Sequence, residues 1–127
     1  MFTIDSKYVQ ETDVMKSRFI AIFLPLDDEN KFKEILSAIK LEYKKAKHYC
    51  YAYRIGSLKS KSSDDGEPSG TAGRPLLQLL HNKELTNCAL IVVRYFGGVK
   101  LGAGKLLRTY VQAGVNVIND AELISIS

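Results

Sequence analysis

The stretch Asn87–Tyr110, NCALIVVRYFGGVKLGAGKLLRTY, decides the architecture of this chain. Its first eight residues, NCALIVVR, are the most hydrophobic segment and read as a central strand buried on both faces. Gly97, Gly98, Gly102 and Gly104 follow at once, and glycine marks places where a backbone turns sharply or approaches something closely. Leu106, Leu107, Tyr110, Val111, Gly114, Val115 and Ile118 then recur at helical spacing. That spacing predicts a helix from about residue 103 to 119, with Lys105, Arg108, Thr109, Gln112 and Asn116 mostly on its other face.

Upstream, residues 8–15 read as a weakly alternating first strand, and RFIAIFL (18–24) as a buried strand ended by Pro25. Asp27, Asp28 and Glu29 start a helix whose apolar face is Phe32, Ile35, Leu36, Ile39 and Tyr43. Lysines 40, 44, 45 and 47 load its C-terminal end. HYCYAYRI (48–55) alternates as a strand, with His48, Cys50, Ala52 and Arg54 on one face and the tyrosines on the other. Residues 56–73 show no periodicity and read as a long loop, a kind that usually carries function or is disordered. PLLQLLHN (75–82) is a short helix with proline in its first turn, and Leu123–Ile126 a final strand. The sum is one domain, an α/β (α+β) two-layer sandwich with a mixed, mainly antiparallel sheet and helices on one face.

The 127 residues suffice for a sizeable core, and 46% hydrophobic and 25% charged residues are ordinary for a globular chain. No apolar stretch of about 18 residues is present and the N-terminus lacks a signal-peptide core, so the expected location is cytoplasmic, with no membrane partner. Two cysteines, Cys50 and Cys88, give neither a disulfide framework nor a zinc spacing. The net charge of +4 is unevenly placed. Lys44, Lys45, Lys47, Arg54, Lys59 and Lys61 form a run without an acid, and so do Arg94, Lys100, Lys105 and Arg108. Such segregation suits an anionic partner, although an unplanned asymmetry gives the same pattern.

Function is expected at two glycine-rich loops, DDGEPSGTAGRP (64–75) and the loop after the central strand. The second is a glycine turn leading into a helix N-terminus, where free N–H groups and the helix dipole favour an anion. A Walker A loop is excluded: five residues separate Gly98 from Gly104 where the motif has four, and Leu106 replaces the magnesium-binding hydroxyl. A dinucleotide fingerprint is excluded too, because residue 107 is Leu. Tight strand–helix packing is the alternative use of these glycines. Arg94-Tyr95-Phe96 can stack on bases, or Arg94 can pair with Asp64, Asp65 or Glu67 and lock the loops together. The three acids do not match a calcium loop, and no metal or cofactor is expected. His48 and Cys50 share a strand face as a nucleophile pair would, but no orienting third group is identifiable.

At DDGEPSGTAGRP and VVRYFGGVKLGAGKLLRTY, supported by KSRFI (16–20) and HYCYAYRIG (48–56), the chain resembles the Impact N-terminal domain family, YigZ-like in bacteria. The resemblance runs from Tyr8 to Asn119 and makes Asp64, Asp65, Gly66, Glu67, Ser69, Gly70, Thr71, Gly73, Arg74, Tyr95 and Phe96 its loop signature. It implies a fold like the second domain of ribosomal protein S-five. It also implies a link to translational control in eukaryotes, and nucleic-acid or ribosome binding in bacteria, with no catalytic residues to carry over. Lys105 stands where the family's GAGGL has glycine, adding a cation at the helix start. Bacterial relatives continue into a second small domain that is expected to be absent here.

The expected function is therefore a non-catalytic module binding RNA or the ribosome. Arg94, Lys100, Lys105 and Arg108 would meet phosphate beside Gly97, Gly98, Gly102 and Gly104, with Arg54, Lys59 and Lys61 flanking. Two alternatives stay open. One is an enzyme acting on a small phosphorylated or peptide-like substrate at the two loops, and the other is a domain docking an acidic protein.

Overall fold

A computed structural model describes residues 1–126. Seven strands, three α-helices and a 3-10 turn follow one another as β1 (Phe2–Thr3), β2 (Tyr8–Val14), β3 (Ser17–Pro25), the turn (Glu29–Lys31), α1 (Phe32–Glu42), β4 (His48–Ile55), β5 (Lys59–Ser63), α2 (Gly73–Asn82), β6 (Cys88–Tyr95), α3 (Ala103–Asp120) and β7 (Ile124–Ser125). The main sheet has the order β2-β3-β6-β4-β5, and all its ladders are antiparallel. β1 and β7 pair separately and tie the two ends of the described chain together.

β6 holds the middle of the sheet. It pairs Ile20 with Val93 on one side and Cys50 with Val92 on the other, and seven of its eight residues are buried. A strand buried on both faces requires cover on both, and the helices divide accordingly. α2 and α3 bring Leu76, Leu80, Tyr110 and Val117 against Phe19, Ala21, Cys50 and Val92. α1 brings Phe32 and Ile39 against the alternate residues Ile20, Ile22, Ile91 and Val93. The expected placement of all helices on one face is thus corrected: α1 lies on the opposite face, where Phe32 packs against both the Tyr51 and Tyr53 rings. Period-two alternation explains the division, since neighbours on β3 and β6 point to opposite sides.

The expected long loop also contains a strand. β5 (KSKSS) pairs with β4 from Tyr51↔Ser63 to Ile55↔Lys59, leaving an irregular segment only over 64–72. It is an edge strand, largely exposed, and its lysines are the kind of residue that discourages pairing with a further chain. At the opposite edge, β2 turns into β3 through Met15 and Lys16, both at positive φ (48° and 68°), as a two-residue hairpin demands.

Candidate functional site: a cleft between the two glycine loops

The first loop is wound around its acids. Asp64 accepts from the backbone N–H groups of Gly70 (2.9 Å), Ala72 (3.1 Å) and Gly73 (2.8 Å). It therefore caps α2 from upstream, where Ala72 offers no capping side chain of its own. Burial alone would raise this carboxyl, but the three N–H groups outweigh it and hold Asp64 below the usual carboxylate range. Asp65 accepts from the Tyr49 N–H at 2.7 Å, and its carbonyl faces His48 Nδ1 at 2.7 Å. Gly73 abuts the backbone of Ser63 so closely that a Cβ would meet it at 2.7 Å. Thr71 is buried and donates to the Pro68 carbonyl, while Ser69 and Arg74 face solvent.

Glu67 points inward and gathers three elements on one carboxylate. Arg94 Nη1, at the end of β6, lies 2.9 and 2.8 Å from its two oxygens, and both side chains are nearly inaccessible at 6% and 2% exposure. Tyr110 of α3 donates its hydroxyl to Oε2, and His48 Nε2 of β4 lies 3.2 Å from Oε1. Burial is the main force raising the Tyr110 hydroxyl, and Cys50 and Glu67 add to it. A carbonyl only accepts, so His48 Nδ1 carries a proton toward Asp65. Arg94 also reaches Ser17 Oγ of β3 at 3.4 Å, and its guanidinium lies 5.5 Å from the centroids of both Phe19 and Phe96. Among the described residues, Arg94 Nε is the buried side-chain polar atom left without a partner.

The second loop is arranged differently. Gly97 backs onto the β2–β3 turn, where a Cβ would stand 1.9 Å from the Lys16 carbonyl oxygen. Beyond it the loop opens. Gly98 and Gly102 border empty space at φ of +89° and +82°, and α3 begins at Gly102 without a side-chain cap. A cleft of about 400 Å³ lies between the loops. Phe96, Leu101, Leu106 and Pro68 form its apolar walls, Arg94, His48 and Glu67 its polar floor, and Lys47 and Lys100 its charged rim. On the other side of α3, Lys105 and Arg108 border a second groove with Thr12 and Val14 of β2.

The eleven residues expected to meet an anion therefore fall into separate groups. Lys100, Gly102 and Arg94 border the cleft, with Gly97 and Gly98 in the same loop. Gly104, Lys105 and Arg108 belong to the first two turns of α3. Arg94 is engaged with Glu67, the locking arrangement rather than a free cation. Arg54 sits at the far end of β4, roughly 20 Å from His48 by strand rise, and donates to the Leu85 carbonyl at 3.0 Å. Lys59 and Lys61 ride the edge strand on the α1 face, and Lys59 lies 3.5 Å from Glu29. Tyr95 turns to that face too, donating to the Lys44 carbonyl, while Phe96 stays 44% exposed.

Sequence reasoning missed Lys47, His48, Ser17 and Tyr110 as parts of this site. A tyrosine on the apolar face of a helix needs a partner for its hydroxyl, and that was the available hint for Tyr110. His48 and Cys50 form no pair: Cys50 Sγ faces the Asp64 carbonyl at 3.1 Å and the Tyr110 hydroxyl at 3.4 Å. Burial pushes the Cys50 and Cys88 thiols up to about 12, far from a thiolate at neutral pH. Asp64, Asp65 and Glu67 do not converge, and no metal-ligating cluster forms among the described residues. No helix among them is long and apolar enough to cross a membrane.

Fold and site together define an α/β sandwich whose two glycine loops are joined by a buried ion pair beside an open, lysine-rimmed cleft. The chain belongs to the Impact N-terminal domain family, whose profile matches residues 15–118. It is 42% identical over 126 residues to the IMPACT family member YvyE of Bacillus subtilis, covering 95% of this chain and 58% of that one. The crystal structure of a hypothetical protein superposes with a TM-score of 0.93 at 30% identity, over 97% of this chain and 62% of the other. The structure of the two-domain translational regulator Yih1 shares the fold, with a TM-score of 0.50 at 24% identity over 91% of this chain and 46% of that one. The chain spans little more than half the length of the bacterial relatives it matches.

Proposed function

We propose that this domain is a non-catalytic RNA-binding module that works in the regulation of translation, with the first turns of α3 as its contact surface. The observation carrying this reading is that basic side chains flank the uncapped α3 N-terminus on both sides. Lys47 and Lys100 stand at the cleft, Lys105 and Arg108 at the groove, and among the described residues none of the four has an acidic partner. A polyanion laid across the helix start would meet cations on each side and free N–H groups between them. A non-catalytic role fits the chemistry: the loop acids are committed to internal bonds and the nearby thiol is buried. Membership of the Impact N-terminal domain family, with the fold likeness to a protein described as a translational regulator, supports the setting.

Titration of single-stranded RNA against salt tests this. Each lost phosphate contact should flatten the log-affinity against log-salt slope by roughly 0.7. Lys105→Ala with Arg108→Ala should therefore lower affinity and flatten the slope by about twice that amount. An unchanged slope sinks the assignment. Capture of a protein partner that survives nuclease treatment, with no RNA retained, would favour the acidic-protein reading instead.

A further inference from the structure

We propose that the cleft between the loops receives one unstacked nucleotide of the bound RNA, its base lying against Phe96. This rests on the RNA-binding reading and adds a defined subsite to it. The volume of about 400 Å³ falls in the range of small-ligand sites, and its walls are apolar. An apolar slot is a poor home for phosphate but a good one for a base, and single-stranded RNA is recognised through bases stacked on aromatic rings or guanidinium planes. The cleft supplies the ring: Phe96 is 44% exposed, and the buried Arg94 guanidinium, 5.5 Å from its centroid, backs it.

Two polar features match what such an occupant brings. Arg94, 95% buried, borders the cleft and keeps Nε without an acceptor; that atom is closed to solvent, so a base carbonyl or ring nitrogen would pair with it only as the occupant shifts the side chain. Gly102 and Ala103, the N-cap and first residue of α3, and Lys100 stand at the mouth, where the nucleotide's own phosphate would lie. One end of the cleft thus suits an apolar plane with an acceptor edge, and the other a negative charge. Free inorganic phosphate satisfies only the second.

The experiment compares a short oligouridylate with an abasic ribose–phosphate chain of the same length, by fluorescence anisotropy at several salt concentrations. Wild-type protein should bind the base-bearing chain about tenfold tighter. Phe96→Ala should abolish that preference while keeping the salt slope. Lys105→Ala with Arg108→Ala should flatten the slope while keeping the preference. Leu101→Trp, which fills the cleft from its wall, should repeat the Phe96→Ala result, and a thermal melt checks that each variant is folded. Equal binding of the two chains with a normal salt slope overturns the subsite and leaves the RNA-binding surface standing. Failure of both chains to bind overturns both.

Discussion

The two loops are alike in their glycines and put them to opposite uses. In the first, every carboxylate is spent inside the molecule: Asp64 on three backbone N–H groups, Asp65 on Tyr49, and Glu67 on Arg94, Tyr110 and His48. In the second, Gly97 is wedged against Lys16, but Gly98, Lys100 and Gly102 face solvent. Clustered glycines therefore mark an exacting backbone, and only the bonds made by their neighbours show whether that backbone is a clamp or a presented surface.

The sharpest way to break the comparison is to empty the clamp. Glu67→Ala leaves Arg94 buried without its counter-charge and should destabilise the fold by about 3–5 kcal/mol in urea denaturation. A midpoint close to wild type would mean that the pair does not join the loops. Within the second loop, Gly97→Ala drives a methyl into the Lys16 carbonyl and should cost about 1–3 kcal/mol. Gly98→Ala meets open space and carries only the strain of its positive φ, about 1 kcal/mol. The reverse order would show the loop to be open where the structure closes it.

Asp64 supplies a pH signature. Its carboxyl is held low in the fold, so its contribution is complete above the unfolded value of about 3.9 and is lost as pH falls through the lower folded value. Asp64→Asn should cost about 1 kcal/mol at neutral pH, and its melting temperature should fall less steeply than the wild type's on acidification below about pH 4. Parallel acid profiles would refute the capping role. The smallest effect belongs to the presented surface: Lys105→Ala with Arg108→Ala should leave stability within about 0.5 kcal/mol per site, since both are exposed and unpaired.

Periodicity made the frame legible. β3, β4, β6, α1 and α3 each carry a long apolar pattern, and β4 begins at His48 and ends at Ile55 as its alternation indicates. β5 escaped because KSKSS has no buried face to announce it; its ladder with β4, rather than its side chains, makes it a strand. The face covered by α1 was hidden for another reason: an apolar stripe shows that a helix packs, not on which side of a sheet. At the site, opposite charge suggested that Arg94 meets one of three acids, and Glu67 is the one. Nothing local marked His48 and Tyr110 as its other partners. They lie 19 and 43 positions away from Glu67 along the chain, and only the crossing of β4 and α3 brings them there.

The Glu67 cluster has a consequence for how the molecule breathes. Surface loops ordinarily open on their own, at a small fraction of the global unfolding free energy. Here the carboxylate cannot leave without breaking its bonds to β4, β6 and α3 together. Amide protons of the first loop, such as those of Gly70 and Gly73 on Asp64, should thus exchange with solvent about as slowly as those of β6, while the N–H groups of residues 98–102 exchange rapidly.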